Sequence, residues 1–166
     1  MNEFYFYSQF CQNLHTFETY YSEKIVSKEE LKFKKLERFV VYSTELSSCV
    51  SKDVLLSNPR IKHLNISSAS TLDSNSLANI IDNDKLNFLT ELTIMSAPLL
   101  DIESAEICIT NLSNLRFLGK LDGWNVTKDS VELLRKKVKE ENYDVKLWYN
   151  GSMQLELNLN DDFLNF

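Results

Sequence analysis

Apolar residues recur along this chain in one short layout: apolar, two residues, apolar, one residue, apolar. RIKHLNI places Ile61, Leu64 and Ile66 in the three slots, and FLTELTI places Leu89, Leu92 and Ile94 there. KLERFVV gives Leu36, Phe39 and Val41. NLHTFET fills the first two slots with Leu14 and Phe17 and puts Thr19 in the third. NLRFLGK gives Leu115 and Leu118 and then Lys120, and NYDVKLW gives Val145 and Leu147 after Asn142. The first slots are separated by 22, 25, 28, 26 and 27 residues. Alternation with period two over the last slots predicts a short half-buried strand in each copy. Three places before the first slot stand Cys11, Phe33, Leu86 and Leu112, with Asn58 in the third copy. Gly119 beside Lys120 predicts a local bulge in the fifth strand.

The segments between strands carry the helical period. DSNSLANIID sets Leu77, Ile80 and Ile81 on one face, and DIESAEICI predicts a short helix with an acidic start. DSVELLRKKVKEE has Val131, Leu134 and Val138 as its apolar stripe. There Asp129 is the expected cap, Glu132 its capping-box partner, and Glu132–Lys136 a favourable pair one turn apart. SKEELKFKKLER reads as a solvated helix face leading into the second strand.

One strand and one helix in about 26 residues form a unit that cannot bury its apolar side alone. Stacked units set Leu64 and Ile66 against Leu92 and Ile94, giving parallel strands on one face, helices on the other and a continuous core. Solenoid ends need covers. Phe4, Phe6 and Phe10 are candidates at the N-terminus. Asn150–Gly151 predicts a hairpin that returns Met153, Leu155, Leu157 and Leu159 alongside Val145, Leu147 and Tyr149. The expected organisation is one domain over residues 1–166, with about six repeats in 10–149 and a capping strand and tail in 150–166.

The L-x-x-L-x-L layout at this period resembles the leucine-rich repeat. CQNLHTF and NPRIKHL resemble the opening of the cysteine-containing repeats of F-box proteins, and NVTKDSVELLRKK resembles their helix. Only Cys11 occupies the opening cysteine position, and Ala69 and Ala97 stand where that subclass has Asn or Cys after the strand. The resemblance implies an α/β horseshoe with its strands on the concave face and its helices on the convex face. It also implies a protein–protein interaction module that recognises substrates for an F-box-type ubiquitin ligase. The first repeat begins near residue 11, which leaves no room for the F-box helices, so a ligase scaffold is an expected partner only if an F-box lies upstream. The alternative is a repeat scaffold or inhibitor with no ligase link.

Alternation also selects the side chains that face a partner. They are Thr16, Glu18 and Tyr20, then Arg38, Val40 and Tyr42, then His63, Asn65 and Ser67. Glu91, Thr93 and Met95 follow, then Phe117, Gly119 and Leu121, then Asp144, Lys146 and Trp148. Lined up across copies, the last column is Tyr20, Tyr42, Ser67, Met95, Leu121 and Trp148. Aromatic, Met and Arg side chains are enriched in interfaces. The candidate partner-binding residues are therefore Tyr20, Arg38, Tyr42, His63, Asn65, Glu91, Met95, Phe117, Lys146 and Trp148.

Composition narrows the classes. The 166 residues carry a formal net charge of −6, with the acidic excess in the second half and no basic stripe, which argues against nucleic acid or an anionic membrane as partner. Three Gly leave no phosphate-binding loop. Cys11, Cys49 and Cys108 are widely spaced and form no metal-ligand pattern, as expected for reduced thiols. His15 and His63 fall in copies two apart, too far for a shared site on adjacent strands. No catalytic residue, metal or cofactor is expected. The N-terminus lacks the basic region of a signal peptide, and no apolar run reaches the roughly 20 residues of a membrane span. The expected compartment is the cytoplasm or the nucleus.

Overall fold

The computed structural model describes residues 11, 13–21, 33–43, 57–82 and 86–149. In chain order these contain β1 (Thr16–Tyr21), β2 (Arg38–Ser43), β3 (His63–Ile66), α1 (Ser74–Ile81), β4 (Glu91–Ile94) and β5 (Ala97–Asp101). There follow α2 (Ile102–Asn111), β6 (Phe117–Gly119), a 3₁₀ turn at Leu121–Gly123, β7 (Trp124–Asn125), α3 (Lys128–Glu140) and β8 (Lys146–Leu147). The fold is α/β. Six strands form one parallel sheet in the order β1-β2-β3-β4-β6-β8, and β5 and β7 form a second, two-stranded sheet.

The period seen in the sequence recurs in the backbone. Leu14, Ile61, Leu89 and Leu115 each donate their N–H to the carbonyl three residues back, at Cys11, Asn58, Leu86 and Leu112. The first-slot side chains face inward: Leu36, Ile61, Leu89 and Leu115 are fully buried and Leu14 is half-buried. Each strand then enters the ladder by the same step. Glu37 and Arg38 N–H share the His15 carbonyl, Lys62 and His63 share that of Glu37, Thr90 and Glu91 that of Lys62, and Arg116 and Phe117 that of Thr90.

The register follows from these steps. Phe17, Phe39, Leu64, Leu92, Leu118 and Leu147 lie side by side as one inward row. Thr19, Val41, Ile66 and Ile94 form the next. All but Thr19 belong to a core that takes in Leu77, Ile80 and Ile81 of α1, Ala105, Cys108 and Ile109 of α2, and Val131, Leu134 and Val138 of α3. Each such large side chain contributes roughly 1.5–3 kcal/mol by burial, so the rows carry the fold.

Several expectations change. The sixth copy sits two residues further along: Leu147, not Val145, pairs with Leu118, and Lys146 pairs with Phe117. Asp144 and Tyr149 thus flank Leu147 in the first and third slots. The 13 residues of α3, against eight in α1 and ten in α2, use up the extra chain. Leu121 points inward and is fully buried, because Lys120 takes a left-handed conformation (φ 63°) and ends the strand in a 3₁₀ turn. The irregularity belongs to Lys120 and not to a bulge at Gly119. The cap of helix α3 lies two residues earlier than Asp129: it is Thr127, with Ser130 completing the capping box. Glu132 pairs with Arg135, and Lys136 with Glu140. Phe33–Glu37 has no helix.

The second sheet is an addition to the strand-and-helix unit. A left-handed residue at Ser96 (φ 47°) turns the chain from β4 into β5. Trp124 pairs with Ala97, and its indole N–H donates to the buried Ile94 carbonyl at 2.7 Å. The expected aromatic cover at Phe4, Phe6 and Phe10, the 150–159 hairpin strand, Cys49 and residues 27–32 of the expected helix face lie outside the described residues. Among the described residues no helix is long and apolar enough to cross a membrane.

Candidate functional site

The outward face of the six-stranded sheet carries three columns. The first is Thr16, Arg38, His63, Glu91, Phe117 and Lys146. The second is Glu18, Val40, Asn65, Thr93 and Gly119. It continues to Trp148, whose N–H reaches the Leu118 carbonyl at 2.9 Å. The third begins Tyr20, Tyr42, with Ser67 and Met95 at the ends of β3 and β4. Trp148 therefore leaves the third column, where the sequence alignment put it, and stands beside Gly119. Val40, expected outward, is fully buried.

Two aromatic groups mark the ends of this face. Tyr20 and Tyr42 stack with ring centroids 4.5 Å apart and planes 14° from parallel. Tyr20 lies on the edge strand of the sheet and is 75% exposed. Burial of the Tyr42 phenol raises its pKa, and Tyr20 and the Glu18 carboxylate push it the same way, against Arg38. At the other end Phe117 meets Trp148 edge to face at 6.0 Å, and the Lys120 ammonium lies 4.7 Å over the indole. Gly119 leaves room for this cluster: a Cβ there would stand 2.5 Å from the Phe117 ring. Trp148 is 37% exposed.

The middle is polar. His63 Nδ1 lies 2.9 Å from Glu91 Oε2, an ion pair when the imidazole is protonated, though without hydrogen-bond alignment. Asn65 Oδ1 is shielded from water and has no hydrogen-bond partner among the described residues. Beside the face, on the turn that enters the strands, Lys62 Nζ donates to Glu37 Oε2 at 3.1 Å and lowers that carboxyl's pKa.

The ten candidate residues thus divide into an aromatic pair at β1–β2, a polar middle at Arg38, His63, Asn65, Glu91 and Met95, and a cluster at β6–β8 formed by Phe117, Lys146 and Trp148. The ten candidates leave out Glu18, which alternation placed on the outward face, and Lys120. Lys120 had a signal, as a cation in a slot that elsewhere holds an inward apolar side chain.

Comparison with protein-family models, with curated proteins and with solved structures finds no match to the chain. Function must therefore be argued from the site. Among the described residues no group of three or more His, Cys, Asp or Glu side chains is placed to hold a metal ion. A cleft between α2 and α3, lined by Glu106, Ile109, Thr110, Leu134, Lys137, Val138 and Tyr143, encloses about 10 Å³. That is room for no more than a water molecule. Cys108 is buried and its thiol pKa is pushed up to about 12, so it stays protonated and unreactive. His15 is exposed ahead of β1, two strands from His63. These groups converge on no reacting atom.

Proposed function

We propose that the chain is a non-enzymatic leucine-rich repeat solenoid that binds a protein partner on the outward, concave face of its sheet. The observation that carries this reading is the pair of open aromatic groups, Tyr20–Tyr42 and Phe117–Trp148, at opposite ends of one otherwise polar face. Large aromatic side chains presented to water on a rigid sheet are the usual anchors of an interface. The recurring pre-strand turn and the six-strand register support the repeat reading. The F-box likeness adds a narrower reading, in which the partner is a ligase substrate and the setting is cytoplasmic or nuclear.

The test is affinity purification with wild type and a Tyr42→Ala/Trp148→Ala double variant, after circular dichroism has shown equal folding. A partner held by wild type and lost by the double variant supports the reading. Equal capture by both refutes it. Recovery of a ligase scaffold together with the partner favours the F-box reading. A partner recovered repeatedly without it favours a scaffold or inhibitor.

A further inference from the structure

The two ends of the face differ in charge, and the difference specifies a ligand. At the β1–β2 end Glu18 stands on the same face as Tyr20, two residues away along the strand, close enough to raise the Tyr42 pKa. Arg38 is at the far end of β2, in the first column, with three residues of strand between it and Tyr42, and it opposes Glu18 only in part. The exposed face of Tyr20 turns away from its stacked neighbour, so a cation placed on it meets a ring and a carboxylate together. At the β6–β8 end the indole already has the Lys120 ammonium on it, and Lys146 is exposed on the same strand end. A second cation there is repelled by both, and an anion is attracted.

The sheet order fixes the distance between the two ends. The tyrosine pair straddles β1 and β2, and the Phe117–Trp148 cluster straddles β6 and β8. The groups that would meet the charges lie on the sheet's outer strands, Glu18 and Tyr20 on β1 and Lys146 and Trp148 at β8, five strand spacings apart in the order β1-β2-β3-β4-β6-β8. At ~4.8 Å per strand that is about 24 Å, the length of about seven residues of extended chain.

We propose, resting on the reading of this face as an interaction surface, that it takes a short extended segment of a partner protein with a fixed polarity of charge. An Arg or Lys of the segment lies against Tyr20 and Glu18. About seven residues away, an Asp or Glu beside an apolar residue lies against Lys120, Lys146 and Trp148. The mixed middle, with Arg38, His63 and Glu91, crosses the segment between the anchors and favours polar residues there.

The experiment is selection of random 12-residue peptides displayed on phage against the full chain, followed by fluorescence polarisation with synthesised winners. Selected peptides should carry a basic and an acidic residue about six to eight positions apart. Exchanging those two residues should abolish measurable binding. Tyr20→Ala and Glu18→Gln should each weaken binding about fivefold, as loss of an exposed cation–aromatic contact does. A Glu18→Lys/Lys146→Glu double variant should prefer the exchanged peptide over the original. Winners without this spacing, no winners at all, or exchanged peptides that bind as well as the originals overturn the proposal. If winners ignore charge order but are lost with Tyr42→Ala/Trp148→Ala, the charge assignment fails and the interaction surface stands. If they bind the double variant unchanged, the surface reading fails as well.

Discussion

Asn58 offers the sharpest test of how successive repeats are joined. It stands three places before the first slot of the third copy, where the first, second, fourth and fifth copies have Cys11, Phe33, Leu86 and Leu112. It is 1% exposed, and its Oδ1 accepts the Phe33 N–H at 2.7 Å, across 25 residues of chain. Phe33 is itself in the equivalent slot of the previous copy and is buried. The bond therefore ties one pre-strand turn to the next through the core. Asn58→Leu keeps the branching and heavy-atom count of the side chain and matches Leu86 and Leu112, so it removes the amide's hydrogen bonding without opening a cavity. It leaves a buried N–H without its acceptor, which costs about 1–3 kcal/mol. Asn58→Ala adds lost packing and should cost more. With an m-value of ~1–3 kcal/mol/M in urea, a loss near 2 kcal/mol moves the midpoint by about 1 M at unchanged m. Trp124 and Trp148 provide the fluorescence signal, and hydrogen exchange at the Phe33 amide should accelerate in both variants. A midpoint for Asn58→Leu equal to or above wild type, with Phe33 exchange unchanged, would refute the argument.

Two further perturbations probe positions that the repeat alone does not explain. Gly123→Ala should destabilise by about 1–3 kcal/mol or more, since a Cβ there would stand 2.5 Å from the Ser96 backbone nitrogen. Gly119→Ala meets the Phe117 ring at the same distance, but that ring can move, so it should cost less and instead disturb the Phe117–Trp148 contact. Parallel urea titrations decide, and equal stability of the two variants contradicts the account. Asp101 caps α2: it accepts from the Ser104 N–H at 2.9 Å, and Ser104 Oγ, 2.8 Å from its carboxylate, lies 2.7 Å from Ser74 Oγ at the start of α1. Burial raises its pKa, but the hydrogen bonds from Ser104 and Ser74 outweigh this and leave it below the ordinary 3.8. A lowered folded-state pKa means that the stabilisation is complete above that ordinary value and is lost as pH falls through the folded one. Asp101→Ala should cost about 1 kcal/mol at neutral pH, and thermal melts should show the gap to wild type closing below pH 4. A gap that is constant with pH would show that the carboxylate charge contributes nothing.

Much of the fold was legible because inward rows are long and apolar, and the reasons for the misses are physical. A strand repeats every two residues, so a slip of two changes the partner without changing the face. Val145–Leu147 and Leu147–Tyr149 both fit an apolar-x-apolar template, and only the length of α3 decides between them. The face assignment of Lys146 and Trp148 therefore survived the slip, while their neighbours did not. Leu121 failed differently: one left-handed residue at Lys120 ends the alternation, and a pattern of side chains carries little information about a backbone angle that a lysine rarely adopts. The β5–β7 ladder was invisible for a related reason, since its second strand is two residues long.

The outward face was legible as a set of positions but not as a set of contacts. Alternation says that Tyr20, Tyr42, Phe117 and Trp148 point the same way. It does not say that Glu18 reaches the tyrosines or that Lys120 folds back over the indole, because those depend on side-chain reach after the register is fixed. The two-residue slip has its largest consequence here. In the third column Trp148 would have continued the row of Tyr42, Ser67 and Met95. In the second it lies beside Gly119 and against Phe117, under Lys120, and the aromatic surface divides into two separate ends. A uniform aromatic stripe would bind by area alone and in either direction. On the polarity proposed above, two charged ends about 24 Å apart would require a partner whose own charges run the right way. Specificity on this face would then come as much from repulsion of the reversed segment as from attraction to the correct one.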